Sequence, residues 1–124
     1  MLDYITYRTT APSLGITWNL TTTTSKTPIK VMSTMINAGA SANFAMYIQS
    51  SNASWAGELV PQWRLNGTVV KTVTPTLTSL PTSWTQYSWD TTGIAISASG
   101  ELSLEFIPNM NTYSINIDDF EVTL

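Results

Sequence analysis

The last stretch of the chain constrains the fold more than any other. Tyr113, Ile115 and Ile117 lie on one side of an extended strand, and Phe120, Val122 and Leu124 also share a side. The step from Ile117 to Phe120 is odd, so strict alternation must slip by one residue at Asp118-Asp119. If both apolar halves still face a core, the slip predicts a β-bulge at that acidic pair. The closing segment therefore reads as a bulged antiparallel strand, which points to a β protein.

The rest of the chain agrees. Apolar residues nowhere recur near 3.6 over a long window, so no helix of useful length is expected. Short alternating runs appear instead, separated by turn-forming residues. They cover Leu2 to Thr10, Leu14 to Leu20, Ile29 to Ile36, Asn43 to Ser50, Pro61 to Asn66, Thr68 to Thr74, Trp84 to Asp90 and Glu101 to Ile107, before the closing strand. Ile94 to Ala98 reads as a short strand or an irregular crossing. Asn66-Gly67 is the strongest hairpin signal. With 124 residues and no linker or repeat, the reading is a single all-β domain over 1–124. Its architecture is a two-sheet antiparallel β-sandwich of jelly-roll type.

Composition narrows function mainly by exclusion. Only 10% of residues are charged, and polarity comes from Thr, Ser and Asn, which suit solvated strand faces. The five basic residues are scattered, which argues against nucleic acid. There is no apolar membrane span and no basic-then-apolar leader after Met1, so the chain reads as a complete product without an export signal. It has no cysteine, which excludes disulfides and zinc–thiolate sites, and no histidine. A Ser or Thr nucleophile would therefore lack its usual base. The carboxylates Glu101, Glu105 and Asp90 read as solvated strand residues rather than a glycosidase pair. No catalytic residue is expected, and the chain reads as a non-enzyme.

The order Trp84-Thr-Gln-Tyr-Ser-Trp, Gly100-Glu-Leu-Ser-Leu-Glu-Phe and Ile115-Asn-Ile-Asp-Asp-Phe-Glu-Val resembles the second half of jelly-roll carbohydrate-binding modules of the galactose-binding-domain-like type. The resemblance covers the last third of the chain. It implies that Trp84 packs at a sheet edge. It also implies a structural calcium near the first and last strands, where Asp118, Asp119 and Asp3, with Glu121 as a helper, are the available carboxylates. Calcium needs six to eight oxygens from several segments. The preferred reading is that the acidic pair caps the bulge in water. Apart from that ion no cofactor is expected.

The aromatics carry the remaining functional signal. Trp18, Tyr87 and Trp89 fall in core phase. Trp55 sits in a polar loop, Trp63 lies between Gln62 and Arg64, and Tyr47 lies opposite Phe44, Met46 and Ile48. Tyr47, Trp55, Trp63 and Arg64 are the candidate ligand or interface residues, as a glycan platform or a protein contact. Two readings follow. The preferred one is a structural attachment protein of a virion surface, a capsid decoration or fibre-associated subunit. Its partners would be neighbouring subunits in a closed oligomer such as a trimer. The alternative is a glycan-binding module of a secreted bacterial protein.

Overall fold

The computed structural model describes residues 2–3, 14–18, 28–50, 57–74, 76–79, 81–110 and 113–124. Among these residues nine strands form two sheets, and every pairing between them is antiparallel. The strands are β1 (Leu2–Asp3), β2 (Leu14–Trp18), β3 (Ile29–Ile36), β4 (Asn43–Ser50), β5 (Gly57–Leu65), β6 (Thr68–Thr72), β7 (Thr85–Asp90), β8 (Gly100–Met110) and β9 (Tyr113–Thr123). The five-stranded sheet runs β1-β2-β9-β4-β7 and the four-stranded sheet β3-β8-β5-β6. This is the jelly-roll sandwich that the alternating runs predict. Among the described residues there is no helix, and none therefore long and apolar enough to cross a membrane.

Period-2 alternation decides what is buried. Phe44, Met46 and Ile48 of β4 and Ile115 and Ile117 of β9 point inward from one sheet. Leu59, Trp63 and Leu65 of β5 and Leu102, Leu104 and Phe106 of β8 meet them from the other. Phe44 and Trp63 close the gap between the layers edge to face, with ring centroids 4.9 Å apart at 63°.

The bulge in β9 falls where the odd step places it. Asn116 to Asp118 pair with Gln49 to Tyr47, and Glu121 pairs with Ala45, so Asp119 and Phe120 together oppose Met46. Asp119 takes φ 53°, a left-handed conformation that a short polar side chain tolerates best after glycine. Its N–H donates to Asp118 Oδ1 at 2.8 Å. The apolar half beyond the bulge is not core, however. Phe120, Val122 and Leu124 are all exposed, Leu124 at 70%. Among the described residues, β2 accompanies β9 only as far as Ile117, so the later residues extend past their neighbour.

Two prolines lengthen strands where proline usually ends them. β5 starts at Gly57 and runs through Pro61, and β8 continues through Pro108 to Met110. Val73 N–H donates to Pro61 O at 2.9 Å, so Pro61 turns its hydrogen-bonding side toward β6 and costs β8 nothing. The ladder from β5 to β6 proper begins only at Gln62. Leu59, opposite Pro108, exchanges both of its backbone bonds with Leu77. Pro108 therefore turns away from β5, toward the side of β3, whose described pairing has ended at Phe106.

Asn66 and Gly67 form the expected two-residue turn, with φ 51° and 82°. The turn also grips the start of β8. Asn66 N–H donates to Glu101 O at 2.8 Å, and Glu101 N–H donates to Asn66 Oδ1 at 2.9 Å. A side chain on Gly100 would occupy the space of that Asn66 amide. Ile94 to Ala98 is an irregular crossing: Ile96 is buried, and its carbonyl accepts from Gly39 N–H at 2.8 Å.

Candidate functional site

The outward face of the five-stranded sheet sets an aromatic ring among polar groups. Tyr47 leaves β4 opposite the buried Met46 and Ile48, and is half-buried. Directly opposed residues of an antiparallel pair point to the same face. The register therefore sets Tyr47 in one row between Asp118 of β9 and Gln86 of β7. The next row carries Asn116 and Gln49, whose side chains meet at 3.4 Å, with Gly15 of β2 beyond them. Gln49 Nε2 also donates to Thr82 O at 2.8 Å, which fixes the amide's orientation. On the other side of Tyr47, small Ala45 stands between Glu121 and Ser88. The result is one aromatic ring among amides, carboxylates and a hydroxyl, with small residues leaving room beside it.

The four platform candidates do not come together. Tyr47 belongs to this face. Trp63 is 1% exposed and lies in the core between the sheets, so it is corrected from surface platform to core. The reason is the phase of β5: Leu59, Pro61, Trp63 and Leu65 all face inward, and polar neighbours in sequence say nothing about a strand residue's own face. Arg64 points out of the four-stranded sheet, on the far side of the sandwich from Tyr47. Its Nε is 3.0 Å from Glu105 Oε2, Nη1 donates to Gly67 O at 3.0 Å, and Nη2 donates to Gln62 Oε1 at 3.3 Å. Trp55 lies outside the described residues.

The acidic candidates disperse as well. Asp118 is buried and Asp119 half-buried in the bulge. Asp3 pairs with Gly15, which pairs with Asn116, so its backbone stands two strands from β9, about 10 Å across the ladder. Among the described residues no three metal-ligating side chains of the His, Cys, Asp and Glu types come together. On the four-stranded sheet, Glu101 pairs with Lys30 at 2.9 Å and Glu105 with Arg64. Glu101 and Glu105 are thus each matched by a cation.

Tyr87 and Trp89 face inward as their phase predicts and pack against the core, but β7 is an edge strand, so they are only half-buried. They stack on each other at 6.0 Å and 14°, and Trp89 meets Phe106 edge to face at 5.6 Å. Beside them, between the edges of β6 and β7, is a cleft of about 260 Å³ bordered by Trp63, Lys71, Trp89 and Asp90. Trp84, just before β7, is half-buried at the same sheet edge.

Asp90 Oδ1 accepts Thr92 N–H at 3.0 Å in the turn after β7. That backbone bond and then a bond with the Thr92 side chain hold its carboxyl below the ordinary value of 3.8; desolvation opposes them, and the charge of Lys71 adds a still smaller lowering. A carboxyl depressed in the folded state adds stability above its unfolded pKa, and that stability is lost as pH falls through the lower folded value. The slope of stability against pH below about pH 4 should therefore be shallower in Asp90→Asn than in the parent. Urea unfolding across that range measures it, and identical slopes would contradict the assignment.

No protein-family model matches this chain, and no curated protein does. Solved structures do. The chain is similar to a module described as CBM4, with a TM-score of 0.62 at 15% identity, covering 98% of this chain and 87% of that one. It is also similar to the apo CBM1 module of BiXyn10A, with a TM-score of 0.55 at 15% identity over 91% and 74% of the two chains. An arabinose-bound GH51 α-L-arabinofuranosidase gives a TM-score of 0.62 at 15% identity, where 89% of this chain spans only 19% of the enzyme. At such identities the shared property is the fold: the sandwich of carbohydrate-binding modules.

Proposed function

We propose that this chain is a non-catalytic glycan-binding module, and that it holds its ligand across the outward face of the five-stranded sheet. The observation that carries the reading is the Tyr47 row. A half-exposed ring offers a flat surface to the apolar face of a sugar, and Gln49, Gln86 and Asn116 beside it supply donors and acceptors for hydroxyls. Sites of this kind pair an apolar surface with a few placed polar groups. The likeness to carbohydrate-binding modules supports this reading over attachment to a virion, which no comparison favours. In such a role the chain would act outside cells, where polysaccharides are met, and one copy would suffice.

Affinity electrophoresis against a panel of soluble polysaccharides, followed by calorimetry on those that retard the protein, tests the proposal. Tyr47→Ala, in a variant shown by its unfolding transition to be folded, should weaken binding by about tenfold or more, as loss of an aromatic anchor does. Retardation by no polysaccharide, or a Tyr47→Ala variant that binds as the parent does, would refute it.

A further inference from the structure

We propose that the cleft between β6 and β7 is a second ligand site, separate from the outward sheet face, and that it takes a single neutral pyranose ring. At about 260 Å³ the cleft can hold one sugar ring but not a chain. Its aromatic wall is preset. Trp89 is held between Tyr87, stacked at 6.0 Å, and Phe106, edge-on at 5.6 Å, so little side-chain freedom remains to be lost on binding. The half-exposed indole is suited to the C–H face of a pyranose.

The polar rim supplies the complement. Asp90 is anchored through Thr92 N–H, and its carboxylate accepts hydroxyl hydrogens. Lys71 comes from the opposite strand and reaches over the turn after β7: a Cβ on Gly93 would stand 3.8 Å from its Nζ. The ammonium donates where the carboxylate accepts. Thr74 and Thr92 border the same opening and add hydroxyls to its rim. One cation and one anion leave the rim neutral overall, so a neutral sugar is favoured over an acidic one. Among the described residues no strand covers the gap between the sheets here, because β6 and β7 are both edge strands. This leaves inward-phase aromatics open to a ligand.

The site does not depend on the outward face binding anything. Titration of the full chain with methyl β-D-glucopyranoside and methyl β-D-galactopyranoside, followed by ¹H–¹⁵N NMR, reads it directly. The Trp89 indole N–H and the Thr92 and Gly93 amides should shift with at least one glycoside. Lys71→Met should weaken that response about tenfold while leaving Tyr47-dependent polysaccharide binding intact. Tyr47→Ala should do the reverse. No movement of the Trp89 indole signal up to about 0.1 M glycoside, against the millimolar affinity expected of a one-ring site, would overturn the proposal. So would a Lys71→Met variant that titrates as the parent, or tighter binding of glucuronate than of either neutral sugar.

Discussion

Trp63→Ala is expected to lower stability by about 3–5 kcal/mol, as removal of a fully enclosed large aromatic does. Trp63 is 1% exposed, faces Leu104 across the ladder and meets Phe44 at 4.9 Å. Alanine would leave a void between the layers where neither sheet can close without bending. Against a total of about 5–15 kcal/mol for a domain, the loss is a large fraction of the whole. Chemical denaturation measures it, and Trp63→Phe should recover part of it. A denaturation midpoint close to the parent's, together with lost sugar binding, would mean that the indole works at the surface after all.

The second large effect concerns Gly100. A side chain there meets the Asn66 amide, which holds Glu101 N–H at 2.9 Å. Gly100→Val should therefore cost about 2–4 kcal/mol, the sum of overpacking and a broken hydrogen bond. Asn66 is exposed and its side chain can move aside, so the cost falls on the clamp between the hairpin turn and β8 more than on the core. Adding Asn66→Gly removes the obstruction and keeps a residue suited to φ 51°. The double variant should be less destabilised than the two single changes added together. Strict additivity would show that the contact is not what limits the site.

Local patterns were readable where strands obey a simple rhythm. β3 and β4 have the bounds that alternation predicts, the Asn66-Gly67 hairpin turns where it should, and the odd step at Asp118-Asp119 marks a real bulge. Misreadings arose where a neighbour decides the outcome. The expected runs start at Pro61 and stop at Ile107, short of β5 and β8, because which side of a strand is hydrogen-bonded depends on strands distant in sequence. Phe120 looked like core because periodicity does not reveal where β2 stops accompanying β9. Trp63 is the opposite case. The phase of β5 already points it inward, and its polar neighbours concealed this. The outward face was half visible, since Tyr47 and Gln49 share a side of β4. Gln86 and Asn116 join them only through cross-strand register, which a linear pattern does not contain. The meeting of Lys71 with the turn after Asp90 is hidden for the same reason.

The placement of the two prolines also bears on how copies of this protein behave in company. At Pro61 the carbonyl is already taken by Val73, and no N–H is left to greet a newcomer. At Pro108 the side turned toward β3 has no donor where the described ladder with that strand has ended. The hydrogen-bonding side of Pro61 is thus filled from within the chain, whereas a foreign strand brought against Pro108 on the side of β3 would find its carbonyl unanswered. A ring so placed hinders pairing between copies of a chain in which only 10% of residues are charged.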